Sequence, residues 1–563
     1  MKVVIVGGVA GGASAAARLR RLDEHAEIII FERGEYISYA NCGLPYYIGG
    51  EITNKKSLTL QTPQSFKNRF NIDVRTFNEV IGINREAKTV LVKNVKTGEE
   101  FEESYDKLIL SPGADPIRPP LPGIDNERIF TLRNIPDTYK IKDFIDNNFP
   151  LSAVVVGGGY IGVEMAENLR NAGLMVTIIE MQDHLIAPLD YDMACDVHHY
   201  VQKNNMSLML KTKVEGFEAL ENSICVNTDK GPVVADMVIM SVGVRPDSKL
   251  AAAAGLEVNK RGSIIVDDHM LTNDENIYAV GDAVEITNFV TGEKGFTPLA
   301  GPANKQGRIA AANICGMDET YKGTQGSAVL KILDMTVATT GINETVAQAA
   351  GIPYEKVYTF GGGHAGYYPG AGNIRVKLIF NSENGKVLGA QVVGFEGVDK
   401  RCDVIATAIR AGMTVSDLAE LELCYAPPFS SAKDPVNMAG FMAENIMDGL
   451  VKQYHWHDVP SIPKDKVTFL DVRTVAENEK GTIEGAIHIP VDELRLSIPM
   501  VDKSKPVFLI CQSGLRSYVA ARMLEQYGYD CYNLAGGYGL YSSVTTDLVF
   551  DERPVHPCGI VIE

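Results

Sequence analysis

Two stretches of this chain, about 150 residues apart, repeat one pattern: an apolar run, a cluster of glycines, a helix-forming segment, and a second apolar run closed by a glutamate. The first is Lys2–Val6, then Gly7-Gly8-Val9-Ala10-Gly11-Gly12, the alanine-rich segment 13–22, and a strand ending at Glu32. The second is 153–156, then Gly157-Gly158-Gly159-Tyr160-Ile161-Gly162, a helix over about 163–171, and Met175–Ile179 ending at Glu180. A strand entering a helix through such a turn aims backbone N–H groups and the positive helix end at a pyrophosphate. The closing acid, 20 or 18 residues past the last glycine, accepts hydrogen bonds from a ribose. The second copy carries all three glycines of the spacing. The first has Val9 at the middle position, so it rests on its strand–turn–helix context.

These units predict an α/β chain with two Rossmann-like dinucleotide-binding domains, and 563 residues leave room for about two more domains. Hydrophobic residues make up 45% and charged residues 22%, a globular balance that excludes wholesale disorder. The net charge of -18, from 53 Lys+Arg against 71 Asp+Glu, argues against nucleic acid as a partner. An anionic ligand then needs a local basic cluster. No apolar run reaches the roughly 18–20 residues of a membrane span, and the opening run reads as a strand entering a turn, not a signal peptide. Nine scattered cysteines fit a cytoplasmic protein better than a disulfide scaffold. No metal site is expected.

Shorter signals follow the same logic. Strands run into Ser111-Pro112-Gly113 and into Gly243-Val244-Arg245-Pro246, and Gly281-Asp282-Ala283 puts a carboxylate at a strand end. Asp282 has a plain alternative as a helix N-cap. In Ser38-Tyr39-Ala40-Asn41-Cys42-Gly43-Leu44-Pro45, Gly and Pro place the cysteine in a loop or helix entry. There the helix dipole would favour its thiolate.

With these residues in view, the chain over about 1–445 resembles the pyridine nucleotide–disulfide oxidoreductases. The resemblance implies FAD on the first unit, with Gly7, Gly8, Ala10, Gly11, Gly12, Glu32, Arg33, Asn41, Ser111, Gly113, Gly281, Asp282, Pro298, Leu299 and Ala300 about it. It implies NADH on the second, through Gly157, Gly159, Tyr160, Ile161, Gly162, Glu180 and Gly243. NADPH is disfavoured, because no Arg occupies 181–183 to accept a 2′-phosphate. The two-cysteine members carry a second Cys where this chain has Tyr47, so Cys42 is a single redox cysteine that forms a mixed disulfide or an oxidised sulfur state. NADH oxidases and peroxidases of the family carry His in the first glycine turn, where this chain has Ala10.

The first glycine unit, the Cys42 loop, His364–Pro369 and Tyr425-Ala426-Pro427-Pro428 instead resemble coenzyme A–disulfide reductases. Ser14, Arg18 and Arg21 recur at helical spacing on one face, and Arg suits phosphate because its planar fork donates two hydrogen bonds at once. The resemblance adds Ser38, Asn41, Cys42, Asn304 and Lys433 to a coenzyme A site. It also implies a homodimer in which Tyr367 and Tyr425 reach Cys42 from the other subunit, as hydrogen-bond and proton donors.

Near the C-terminus, Asp471-Val472-Arg473, Gly485–Pro490, Cys511-Gln512-Ser513-Gly514-Leu515-Arg516 and Asn533–Gly537 resemble a single rhodanese domain. Cys511 would lie among inward-pointing N–H groups that stabilise a thiolate or persulfide, with Arg516 adding positive charge. Cys531 reads as an apolar filler; Cys424, Cys558 and the tail match no motif.

The expected domains are FAD-binding at 1–113 and 245–322, NAD(H)-binding at 114–244, an α+β dimerisation domain at 323–446, a linker at 447–463, an α/β rhodanese domain at 464–545 and a tail at 546–563. The expected activity is FAD-dependent, NADH-driven reduction of coenzyme A disulfide, coenzyme A persulfide or polysulfide at Cys42, with Cys511 supplying sulfane sulfur. The alternatives are an NADH oxidase or peroxidase acting through Cys42 sulfenate, and a non-catalytic sulfur carrier or redox sensor.

Overall fold

The computed structural model describes residues 1–546; the rest of the tail, with Cys558, lies outside the described residues. The chain forms two compact units, Met1–Gln182 with Met209–Gly326, and Asp183–Leu208 with the chain from Ser327 onward.

In the first unit, five parallel strands lie in the order Ile277–Ala279, Lys107–Leu110, Lys2–Val6, Glu27–Glu32, Asp73–Thr76. Both faces of such a sheet are covered, which is why its strands read as unbroken apolar runs; Val3, Val4 and Ile5 are wholly buried. Helix Ala10–Leu22 packs on helix Ala300–Ile314. At their crossing a Cβ on Gly307 would sit 2.3 Å from the Gly11 carbonyl oxygen, so only glycine allows that approach. A second parallel set runs Met175–Ile179, Ser152–Val156, Met237–Met240, Ile129–Phe130.

Both nucleotide-type helices begin about three residues earlier than the glycine pattern suggests, at Ala10 and at Tyr160. The last glycines lie inside the first helical turn, where close packing and not flexibility selects them. A Cβ on Gly12 would meet the Gly7 oxygen at 1.9 Å, and one on Gly162 the Gly157 oxygen at 2.0 Å.

In the second unit a five-stranded antiparallel sheet runs Ala328–Ile332, Met335–Gly341, Val387–Gly394, Asn373–Asn381, Tyr354–Gly362. Helix Tyr191–Lys203 lies in sequence within the span expected for the NAD(H) domain, yet it belongs to this unit. Asp192, in its first turn, and Asp190, its N-cap, face Lys377 Nζ at 2.8–3.0 Å, and Glu344 joins them. Lys377 is wholly buried. Burial opposes ionisation of Glu344, but Lys377 and Lys356 more than offset it and hold the carboxyl down at about 2. These charges keep the helix in its place, because breaking a buried pair strands its partner in low dielectric.

The last sheet is all parallel, in the order Gln453–Tyr454, Cys531–Leu534, Val507–Ile510, Thr468–Asp471, Ile487–His488. Its edge strand comes from inside the segment 447–463 that the sequence suggests is a linker. Gln453 pairs in register with Asn533, and its side-chain amide donates to the Lys356 carbonyl at 3.1 Å.

Candidate active sites

A cavity of about 940 Å³ opens along the C-terminal ends of the first sheet. Every residue expected about FAD lines it except Gly8 and Gly12, which are packing positions: a Cβ on Gly8 would lie 2.7 Å from the Ile37 side chain. Ser14, Ser38, Asn41, Cys42 and Asn304 line the same cavity, so the two ligand sets expected from sequence share one space. Arg18 and Arg21 do not line it. Arg18 is mostly covered and pairs loosely with Glu319 at 3.7 Å, while Arg21 is exposed. The neighbouring Arg20, which carries no expectation, is structural and donates to five backbone carbonyls.

The two closing acids are held identically. Glu32 accepts from the N–H groups of Gly8 at 3.0 Å and Gly34 at 2.9 Å; Glu180 accepts from Gly158 at 2.6 Å and Gln182 at 2.7 Å. Each carboxylate is therefore fixed in position before any ribose arrives, with lone pairs to spare. Gly7 and Gly157 sit at φ of +94° and +107°, where a side chain is strained. Gly159 differs: a Cβ there meets nothing within 4 Å. No packing accounts for that glycine, and space left over the helix N-terminus fits a dinucleotide approaching the backbone. Ile161 is partly exposed at the same helix start, and Gly243 bends the end of the neighbouring strand at φ +103°.

Asp282 is not an N-cap. It lies in the single turn Gly281–Ala283, its side chain caps no helix, and it faces the cavity. Burial raises its pKa, with Arg133 opposing.

Cys42 sits in the turn Asn41–Gly43, which runs straight into helix Leu44–Ile48. The loop is pinned to the glycine turn: Ser38, in left-handed backbone at φ +43°, donates its N–H to the Gly8 carbonyl at 2.8 Å. Strain of this kind persists where the surroundings over-determine a segment. The thiol is exposed at the cavity wall. Its acidity runs opposite to the dipole expectation. Burial of the sulfur's protein-facing side raises its pKa, and Glu164 and Asp282 raise it further. A helix of five residues has too little macrodipole to overcome two carboxylates.

In the second unit Tyr367 and Tyr425 bring their hydroxyls to 2.8 Å of each other, both on exposed aromatic loops. Lys433 is exposed. Cys424 adjoins Tyr425 on a cavity of about 500 Å³ that also meets His364 and Lys400.

Cys511 follows strand Val507–Ile510 and precedes helix Leu515–Gln526. It is wholly buried, and its sulfur accepts from the Gly514 N–H at 3.0 Å and the Ser517 hydroxyl at 3.1 Å. Ser517 also lies 2.5 Å from Asn533 Oδ1, and Asn533 donates to the Gly514 carbonyl at 3.0 Å. Arg516 does not lend a free positive charge: both its terminal nitrogens bond Glu477, at 2.7 and 2.6 Å. The sulfur is served by neutral donors instead. Cys531 is buried in the core of the same sheet, its pKa pushed up to about 12, chiefly by burial.

Ser517, Glu477, Tyr46 and Glu164 carry no expectation from sequence, and Asn533 enters only as the start of the rhodanese-like stretch 533–537. Ser517 was within reach, one residue past Arg516, and Glu164, with Glu167, is one of two acids on the helix that opens at Tyr160.

Comparison with known proteins matches this geometry. The pyridine nucleotide-disulphide oxidoreductase model matches residues 1–308, its dimerisation domain residues 327–435, and the rhodanese-like domain residues 460–543. A coenzyme A disulfide reductase of Staphylococcus aureus (strain JH9) is 39% identical over 444 residues, 79% of this chain and 100% of that protein. Among solved structures, reduced Bacillus anthracis CoADR-RHD is 51% identical with a TM-score of 0.94, covering 96% of this chain and 98% of its own. A NAD-dependent persulfide reductase from A. fulgidus is 39% identical with a TM-score of 0.90, covering 96% and 100%. No helix among the described residues is long and apolar enough to cross a membrane. The chain therefore belongs to the pyridine nucleotide–disulphide oxidoreductases, in the group that includes the coenzyme A disulfide reductases, and carries a dimerisation domain and a C-terminal rhodanese-like domain.

Proposed function

We propose that this protein is an NADH-consuming, FAD-dependent homodimeric reductase of coenzyme A disulfide, coenzyme A persulfide or polysulfide, with Cys42 as its redox sulfur and Cys511 as its sulfur carrier. The observation that carries this is Cys42: an exposed thiol on the wall of the cavity that the first glycine turn, Glu32 and Asp282 also line. The cavity's volume and its glycine cradle fit FAD, held by the turn at Gly7–Gly12, by Glu32 at a ribose and by Asp282. Bound FAD supplies the passage of two electrons from the hydride donor to sulfur. Gly157, Gly159 and Gly162 would seat NADH, with Glu180 on its ribose.

The chain's own residues then do the following. Cys42 thiolate attacks one sulfur of coenzyme A disulfide; the S–S bond breaks, a mixed disulfide forms, and the released coenzyme A thiolate takes a proton. Tyr367 and Tyr425 of the partner subunit supply that proton. NADH plus the mixed disulfide gives NAD⁺, coenzyme A thiol and Cys42 thiolate, which balances without another reductant. With coenzyme A persulfide, Cys42 takes the outer sulfur, coenzyme A thiolate leaves, and reduction releases hydrogen sulfide. Cys511 persulfide anion plus coenzyme A thiol gives Cys511 thiolate and coenzyme A persulfide, so the mobile pantetheine arm does the carrying. Ser14, Ser38, Asn41 and Asn304, which line the same cavity, would meet that arm; Arg18, Arg21 and Lys433 would meet its phosphates. Free thiols at every described cysteine suit a reducing cytoplasm.

The deciding experiment is steady-state kinetics with NADH against coenzyme A disulfide, coenzyme A persulfide, polysulfide and oxygen. Sulfur acceptors should dominate. Rapid oxygen consumption without a sulfur acceptor would favour a Cys42 sulfenate oxidase instead, and failure of NADH to bleach the flavin would favour a non-catalytic carrier.

A further inference from the structure

Glu164 lies on helix Tyr160–Asn171, which opens at the second glycine turn, and its carboxyl is 3.5 Å from the Tyr46 hydroxyl. Tyr46 is four residues after Cys42, on helix Leu44–Ile48, into which the turn of Cys42 runs without a break. The contact is built in: a Cβ on Gly49 would lie 2.2 Å from Asn168 Oδ1, so the Cys42-bearing helix rests directly on the helix of Glu164. A neutral phenol donates to this acid, where a cation would hold it ionised. The charged groups that act on the pair are Glu51 and Glu167, through Tyr46, and Asp282, itself opposed by Arg133.

We propose that Glu164 is a positioning acid for Cys42: it takes up a solvent proton when the Cys42 thiolate is set free and returns it when the sulfur is captured. The pair thus keeps one negative charge in place of two. Coulomb repulsion between the Cys42 thiolate and the Glu164 carboxylate, both partly desolvated, is the driving force. Burial raises the Glu164 carboxyl to about 7, with the Tyr46 hydroxyl opposing, so the exchange falls at working pH. The inference rests on Cys42 as the redox sulfur, but its test does not depend on which acceptor is reduced.

The test is the pH dependence of Cys42 alkylation by iodoacetamide in the reduced holoenzyme, followed at the Cys42 peptide over roughly pH 5.5–9.5. Wild type should show two ionisations. Glu164→Gln should show one, moved to lower pH, with alkylation at pH 7.5 faster by about threefold, a half-unit shift. Glu164→Asp, which restores the charge, should return the two-step curve. A single ionisation in wild type, or a Glu164→Gln curve superimposed on it, overturns the proposal. If Glu164→Gln loses its flavin absorbance, the wild-type and Glu164→Asp curves still decide. Wrong acceptor kinetics with the expected alkylation curves would count against the proposed activity and not against Glu164.

Discussion

Under the proposed function, Cys42 and Cys511 are two sulfur atoms kept reactive by opposite means. Cys42 is exposed on a cavity wall, between acids that disfavour its thiolate. Cys511 is sealed in a core, against one backbone N–H and one hydroxyl that favour a sulfur anion. On the proposed roles, the difference follows from what each would meet. A thiol that exchanges with a bulky disulfide needs access, and its raised pKa makes each thiolate a stronger nucleophile while leaving fewer of them at rest. A thiol that stores a sulfane sulfur needs a persulfide shielded from water and other thiols, and donors already aimed at its charge.

The largest test removes the exposed sulfur. Cys42→Ser should retain FAD and lose NADH-driven coenzyme A disulfide reduction by about 10³-fold or more, as loss of a nucleophile does; steady-state assays check it, and full activity would take Cys42 out of the chemistry. Removing the sealed sulfur should divide the substrates. Cys511→Ser should spare coenzyme A disulfide turnover within about twofold while lowering polysulfide use by roughly 10²-fold. If both survive unchanged, the rhodanese-like domain is a passenger. Access itself is measurable: in the native reduced protein, iodoacetamide should modify Cys42 at least about tenfold faster than Cys511, and equal rates would erase the contrast. The smallest effect belongs to Ser517→Ala. Losing one hydrogen bond to a sulfur anion should slow sulfur transfer from Cys511 by about tenfold, the size of a charge-assisted bond, with coenzyme A disulfide reduction untouched.

The sequence was most legible where a local pattern fixes geometry. The glycine spacing located both nucleotide turns, and the offsets of Glu32 and Glu180 put each acid where two backbone N–H groups hold it. Short-range patterning does not show whether a glycine closes a turn or opens a helix, so both helix starts came out late. Long-range pairing was invisible. Nothing near Tyr191 indicates that its helix is tied by Lys377 and Glu344 to a different unit. Nothing near Arg516 shows that a glutamate 39 positions earlier takes its charge. Cys42's acidity failed for the same reason, because burial raises its pKa first and Glu164 and Asp282 add to that from distant segments.

The edge strand Gln453–Tyr454 bears on any attempt to move the sulfur-carrying module elsewhere. Cutting the chain at 464 would strip a parallel sheet of its outermost member and leave the outer edge of strand Cys531–Leu534 open to a foreign strand. A transplant that keeps its shape must begin before Gln453, and it then carries along the residue that fastens it to its original neighbour through the Lys356 carbonyl.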